Sequence, residues 1–339
     1  MSKYELIRQT FLGNPQDRIP ISIWKHHPQI DRIPDGLANA EIAFHKKFDH
    51  DLLKISFFGH YPCIDFGCQA EYDGAVSGST TLTEAPVTKT SDWETLEQPD
   101  VNSGVFGKQI KAVELISEYA QGRVPTMGTI FDGPMVADKI CGKNLNMYMT
   151  EEPEIMHDVL EMITDTMVEF SKAVLDAGAD GLFIASQHST EAAVSDEHYK
   201  EFILPNDAEL ISRTRGEARY IVMHLHARDK GEKIRFKKIT KTRGLDAINW
   251  EDQTSSHSLS DGKKLFRKGV IGGIDHNGIF REGTAEAAEQ QVLSAIEAAG
   301  TRRLVVGPGC VITTDTPEQN IRAVVDAVRS LKPYEEEQE

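Results

Sequence analysis

EPEIMHDVLEMITDTMVEFSKAVLDAGADGLFIAS, residues Glu152–Ser186, holds one complete unit of the rhythm that decides the fold. Glu152–Asp176 carries Ile155, Val159, Met162, Ile163, Met167 and Phe170, at spacings near 3.6, the period of a helix with one apolar face. Pro153 falls where a first-turn proline is tolerated, and Gly178 marks a stop. Gly181–Ser186 (GLFIAS) is then a short, continuous apolar run. A strand buried on both faces of a parallel sheet reads this way.

Working outward, the same short runs recur. Pro20–Trp24 (PISIW), Asp51–Phe57 (DLLKISF) and Val124–Phe131 (VPTMGTIF) precede the quoted unit. Tyr220–His226 (YIVMHLH), Leu245–Trp250 (LDAINW), Val270–Asp275 (VIGGID) and Arg303–Gly307 (RLVVG) follow it. Thr284–Ala298 and Pro317–Leu331 read as the last two helices, the latter started by Thr316 with Glu318 in its first turn. Eight runs alternating with helices predict a (β/α)8 TIM barrel forming a single domain over residues 1–333. A doubly wound sheet is the alternative that strand counting leaves open. Asp65–Val101, rich in Thr, Ser and Gly, breaks the rhythm and reads as a loop or hairpin excursion above the barrel. Tyr334–Glu339 (YEEEQE) reads as an acidic disordered tail.

Composition narrows the partners. The chain has 339 residues, 37 Lys plus Arg and 53 Asp plus Glu, a formal charge of −16. Such a surface argues against nucleic acid or an anionic membrane, because both need a positive footprint. No apolar stretch approaches the roughly 20 residues that span a bilayer. The start, MSKYELIRQTFLGNPQDRIP, shows no apolar signal core. Four cysteines in a chain this long are no disulfide framework, so the expected setting is reducing and cytoplasmic. An apolar outer helix face on an acidic barrel would suit a homodimer.

In a barrel, chemistry sits where strands give way to loops. The residues there include Lys25, His26 and His27 after the first run, His60 after the second, Asp132 after the third and His188 after the fourth. His224 and His226 end the fifth. Glu251 and Asp252 follow the sixth, and Asp275, His276 and Asn277 the seventh. Histidine binds metals and moves protons near neutral pH, so its concentration at the run ends is informative. His224-Leu225-His226 is the sharpest feature. Residues two apart on a strand share a side, so both imidazoles would face one ligand. Cys310 follows the eighth run at the same rim. Two imidazoles and a thiolate are a three-ligand zinc set with a fourth position open; the bland alternative is a hydrogen-bonded histidine pair and an inert cysteine. Asp275-His276-Asn277 is either a rim acid or base or an Asx-type cap on its turn. His26-His27, beside Pro28, reads as a solvated surface turn or as part of the rim. Gly307-Pro308-Gly309 would aim backbone N–H groups at an anion, yet lacks the Lys and Ser/Thr of a phosphate loop. Met127, Met135, Met162 and Met167 read as core filling.

Five motifs then carry a resemblance. Gly13–Ile21 (GNPQDRIPI), Gly178–Leu182 (GADGL), Tyr199–Pro205 (YKEFILP), Gly272–Asp275 (GGID) and Gly307–Ile321 (GPGC…TPEQNI) resemble the uroporphyrinogen decarboxylase superfamily, in family order and over almost the whole chain. The resemblance implies a (β/α)8 barrel. One branch is the decarboxylase itself, a carboxy-lyase acting on a tetrapyrrole. The other comprises zinc-dependent methyltransferases that take methyl from a corrinoid (cobalamin) to a thiol. The chain departs from the first branch. Where the decarboxylase has an R-Q-A-G-R run, this sequence has Trp24-Lys25-His26-His27-Pro28, and where it has Ser-Asp, this one has Ser56-Phe57. For the second branch, whose zinc motif is H-x-C plus a late Cys, His224 and Cys310 match and His226 stands in place of the middle cysteine.

The resemblance therefore implies zinc at His224, His226 and Cys310, and a corrinoid methyl donor, free or on a separate corrinoid protein. It implies a small-molecule methyl acceptor. His26, His60, Asp132 and His188 would line the substrate rim, and Asp275, His276 or Glu251 would orient a ligand or bind the acceptor. A lyase and a non-catalytic corrinoid- or tetrapyrrole-binding barrel remain the alternatives.

Overall fold

The computed structural model describes residues 1–331; the stretch read as an acidic tail, 334–339, lies outside the described residues. Among the described residues nine strands form in chain order: β1 (Leu53–Ile55), β2 (Gln69–Glu71), β3 (Thr81–Glu84), β4 (Thr126–Phe131), β5 (Gly181–Ser186), β6 (Tyr220–Leu225), β7 (Ala247–Trp250), β8 (Gly269–Ile274) and β9 (Leu304–Pro308). Seven of them make one parallel sheet in the order β1-β4-β5-β6-β7-β8-β9. The sheet curls into a (β/α)8 barrel with helices outside.

The eighth stave, Pro20–Trp24, closes the ring more thinly than a strand. Ile21 bridges Val306 and Lys25 bridges Ile312. On its other side the Asp51 N–H donates to the Ile21 carbonyl at 2.8 Å, and the Ser22 hydroxyl donates to the Leu52 carbonyl at 2.7 Å. The thinness has a local cause. Pro20 has no N–H, and the Ile21 N–H is drawn off to the Asp51 carboxylate at 3.0 Å.

Side-chain alternation fixes what faces inward. Trp24, Met127, Phe183, Tyr220, Val222, Ala247, Ile271 and Val305 form a core of their own inside the ring. A larger core lies between the sheet and the helices. The helix Lys3–Leu12 closes the lower end. Its Ile7 and Phe11 join the inner core, the Phe11 and Tyr220 rings meet edge to face at 5.6 Å, and the Tyr220 hydroxyl donates to the Tyr4 carbonyl at 3.1 Å. With the bottom plugged, the open end of the barrel is the one at the carboxyl ends of the strands.

The excursion is a hairpin. β2 and β3 pair antiparallel with an irregular register at Gln69/Ala70. Its connecting loop is tied to the segment after β9, where Thr314 donates to the Val76 carbonyl through its N–H at 2.7 Å and its hydroxyl at 3.0 Å. The quoted helix runs Pro153–Asp176 with its proline in the first turn, as its sequence predicts. The last helix, Glu318–Ser330, starts differently. Pro317 holds the cap position, because the Thr316 hydroxyl is engaged with that of Thr313 at 2.9 Å. All four cysteines are unpaired. Among the described residues no helix is long and apolar enough to cross a membrane.

Candidate active site

A cavity of about 890 Å³ opens at the mouth of the barrel. Trp24, Phe57, Phe131 and Phe183 give it apolar walls, and the loop and second strand of the hairpin roof it. The same alternation that sends Tyr220 and Val222 inward brings His224 and His226 to the cavity. On β7 and just beyond, Asn249 and Glu251 share a parity with the inward Ala247.

His224, His226, Glu251 and Cys310 meet there, with one ligand atom from each within 4.8 Å of the others. Asn249 sets the orientation of His224. Its side-chain N–H groups donate to the carbonyls of Ile271 at 2.9 Å and Pro308 at 3.0 Å. Its Oδ1 must therefore face His224, whose Nδ1–H donates to it at 2.7 Å. The imidazole Nε2 is thereby turned toward the cluster, 3.8 Å from Glu251 Oε1. His226 Nδ1 donates to Glu251 Oε1 at 2.5 Å, and the Ala227 N–H donates to Oε2 at 2.7 Å.

The charges reinforce one another. Burial raises a carboxyl, but the facing His226 overrides this and holds Glu251 below its usual range. Against the downward pull of burial, Glu251 and Cys310 hold His226 well above the ordinary imidazole value. Burial likewise opposes the Cys310 thiolate, and the two histidines outweigh it, so its pKa lies well below the usual thiol value. Hydrogen bonding to the charged forms and opposite charge at contact range explain all three directions.

The cysteine reaches the cluster because Gly309 lets it. A Cβ at Gly309 would lie 2.8 Å from Glu251 Cα and 3.0 Å from the Trp250 carbonyl oxygen. Its N–H donates to the Ile274 carbonyl at 3.2 Å. The glycines of Gly307-Pro308-Gly309 thus permit close backbone packing, and the Gly309 N–H is not offered to an anion.

The other sequence-predicted residues divide. His26 and His60 line the cavity, and so do His276 and Asn277. His26 is buried, which corrects the surface-turn reading: the hairpin covers it, with Gly78 against its side chain. Asp132 and His188 are not among the cavity walls. Asp132 is the residue before the helix Gly133–Ile140 and caps it, accepting from the Met135 N–H at 2.6 Å. His188 Nε2 stands 3.8 Å from Asp138 Oδ2 behind the wall. Asp275 turns its carboxylate to the Gly278 and Ile279 N–H groups at 3.1 and 3.2 Å. That is the Asx-type cap of the bland alternative.

Three residues of the site escape a reading of the sequence. Asn249 looks like any polar strand residue until its three partners are seen. Lys54 sits in the middle of an apolar run, yet its ammonium faces the cavity, 5.1 Å from the Phe183 ring and 5.8 Å from that of Trp24. Lys139 lies one and a half turns into the Gly133–Ile140 helix and reaches the cavity from outside the strand ends.

With the geometry in place, comparison with known proteins supplies the family. The family profile described as uroporphyrinogen decarboxylase (URO-D) matches residues 5–331. A methylcobamide:CoM methyltransferase, MtbA of Methanosarcina acetivorans, is 20% identical over 341 residues, 97% of this chain and 98% of its own length. A uroporphyrinogen decarboxylase of Pseudoalteromonas translucida is 27% identical over 263 residues, 73% of this chain and 70% of its own. A solved methyltransferase from Methanosarcina mazei has the same fold, with a TM-score of 0.83 at 18% identity over 97% of this chain and 98% of that one. The chain belongs to the uroporphyrinogen decarboxylase family.

Proposed function

We propose that this family member is a zinc-dependent, corrinoid-linked methyltransferase that moves a methyl group to a thiol or similar acceptor. The observation that carries the reading is the convergence of His224, His226, Glu251 and Cys310, with the two histidines and the cysteine on the cavity wall. The names of its full-length relatives support it, since they join a methylcobamide to a CoM acceptor.

The donor set fits zinc. Two imidazoles, a thiolate and a carboxylate are its common ligands. Ligands about 2.0–2.3 Å from one zinc stand roughly 3–4 Å apart, so the cluster needs only a small contraction. The Asn249 contact to His224 is the kind of outer partner that fixes a ligating ring. His224, His226 and Cys310 would hold the metal, and Glu251 either completes the set or steadies His226. When bound, zinc would supply a Lewis acid that keeps an acceptor sulfur deprotonated near neutral pH.

The chain's own residues do the rest. The aromatic walls and the hairpin exclude water and orient donor against acceptor. His276 stands at the cavity wall, where it would orient a ligand, and Asp275 would act through it by fixing the turn. The decarboxylase alternative has less support, because Phe57 cannot accept hydrogen bonds from pyrrole N–H groups.

Elemental analysis of the purified, unsupplemented chain tests the reading. About one zinc per chain is expected, lost in His224→Ala and in Cys310→Ala. Loss of methyl from methylcobalamin in the presence of a thiol, followed by absorbance, should disappear in the same variants. Full metal retention in both would sink the proposal.

A further inference from the structure

Three of the four cysteines take no part in the ligand cluster, and two of those share one turn. The short helix Tyr61–Ile64 ends where the Gly67 N–H donates to the Ile64 carbonyl at 2.8 Å and the Cys68 N–H donates to the Cys63 carbonyl at 3.1 Å. Gly67 sits at φ 102°, a conformation that favours glycine. A helix that stops with this pair of bonds brings together the side chains of the two residues joined by the outer one, usually as an apolar contact. Here both are cysteine.

A disulfide needs Cα atoms roughly 4.4–6.8 Å apart, and a direct backbone hydrogen bond between the two residues holds them in that range. The thiols themselves are in contact. The turn is anchored from outside, because the Asp65 carboxylate accepts from the Val105 and Phe106 N–H groups at 2.7 and 2.9 Å.

The two sulfurs are not equivalent. The contact with Cys68, helped by the charge of Lys139, lowers the Cys63 pKa against the opposing effect of burial. The same contact, together with burial, raises that of Cys68. Cys63 is therefore the sulfur that ionises and attacks, and Cys68 keeps its proton as the resolving partner. Both are buried, so a small hydroperoxide fits as oxidant and a bulky disulfide does not. Cys141 is the inert comparison: burial pushes its thiol up to about 12, and its Sγ lies 3.6 Å from the Asp138 carbonyl oxygen.

Position gives the pair something to control. Cys68 directly precedes β2, the first strand of the hairpin whose loop and second strand roof the cavity. Cys63 follows His60, which lines the cavity, on the same short helix. The hairpin thus springs from the cavity wall through this one turn. When the thiols are free the turn can unwind as the hairpin lifts; when they are joined it cannot.

We propose that Cys63 and Cys68 are a reversible thiol–disulfide pair, closed by a hydroperoxide and reopened by a thiol, that pins the root of the roofing hairpin. With hydrogen peroxide the chemistry balances. The Cys63 thiolate forms an S–O bond as the O–O bond breaks and hydroxide leaves. The Cys68 sulfur then attacks that of Cys63, the S–S bond forms, the S–O bond breaks, and a second hydroxide leaves. The two thiol protons turn both hydroxides into water, so two thiols are oxidised and one peroxide is reduced. Neither metal nor methyl transfer enters this chemistry.

Peroxide treatment of the full chain as purified tests the pair. After unfolding, alkylation and trypsin, residues 55–89 form one peptide carrying both cysteines. It should lose about 2 Da, the two thiol hydrogens, and regain both thiols with dithiothreitol. Cys68→Ala should instead hold Cys63 as a sulfenic acid that dimedone traps. Amides of residues 69–84 should exchange with deuterium about tenfold more slowly in the oxidised chain than in the reduced one, and Cys68→Ala should show no such difference. The wild-type peptide decides the bond without any variant. Two thiols still free in it, a gain of oxygen that dithiothreitol does not reverse, or a bond from either cysteine to Cys141 would overturn the pair. A disulfide that leaves the exchange of the hairpin unchanged would overturn the pinning.

Discussion

Asn249 carries no charge, yet it sets the orientation of a proposed metal ligand, His224. By giving both amide hydrogens to carbonyls on β8 and β9 it leaves one tautomer of His224. Asn249→Leu should weaken zinc binding by about 10–100-fold, the usual consequence of removing an outer partner of a ligand. Competition with a chelator would measure it, and an unchanged affinity would show that His224 needs no such support. At this scale the sequence was legible where side-chain parity decides. His224 and His226 are two apart on a strand, and a late cysteine at the same rim needs no further information. It was illegible where a polar residue's role depends on remote backbone. Nothing local distinguishes Asn249 as a tie among three strands. For Asp275 the sequence already offers an Asx-type cap beside the rim role, whereas Asp132 reads only as a rim residue; both carboxylates are claimed by nearby N–H groups. A carboxylate just before a helix or turn has those donors within reach, and they compete with any rim chemistry.

The elements were read nearly to their ends, because runs buried on both faces are continuous in sequence. The exception, Pro20–Trp24, has the composition of a strand, but Asp51 takes the Ile21 N–H that a ladder would use. The excursion was visible only as a break in rhythm, since short exposed strands such as Thr81–Glu84 carry little apolar signal. Close approach of backbones is the least legible feature of all. Gly309→Ala should cost about 1–3 kcal/mol, as overpacking does, and should lower metal content as well, because the added methyl presses on Glu251. Gly216→Ala, which meets nothing within 4 Å, is the neutral comparison. Denaturant unfolding of both would decide it; equal stabilities would mean that the loop shifts freely. In the lower plug, Phe11→Ala should cost about 3–5 kcal/mol by leaving a void under Tyr220, read as a fall in the urea midpoint.

For the molecule as a whole, the balance of buried titratable groups sets how stability follows pH. Burial pushes His26, His50 and His60 down to about 3, whereas an unfolded histidine titrates near 6.5. As pH falls from about 6.5 toward 3 the unfolded chain takes up protons that the folded chain refuses, so each histidine lowers stability by up to about 1.4 kcal/mol per pH unit. Asp31, Glu41 and Asp252 are pushed up to about 7, first of all by burial. They act in the opposite sense, holding protons in the folded state that the unfolded chain has released above about 4. Through the overlap, roughly pH 4.5 to 6.5, the two sets offset each other. Below about 4 only the histidines remain, and stability should fall steeply. Urea unfolding across this range should show a shallow stretch and then a drop. His50→Gln should gain on the wild type progressively as pH falls from about 6.5; a constant difference between the two would mean that His50 titrates normally in the fold. Charge and fold class at this scale were open to the sequence, but which histidines lose their water depends on what covers them, and for His26 the cover is a hairpin about fifty residues further along the chain. That hairpin has one more consequence. Its loop hangs by two hydrogen bonds from Thr314, on the segment that begins with Cys310. The lid and the ligand are thus one linkage, like a latch whose string is knotted to the bolt. On the proposed function, a donor bulky enough to raise this loop would also draw on the segment that carries the cysteine, so entry to the cavity and the placing of the sulfur would be coupled.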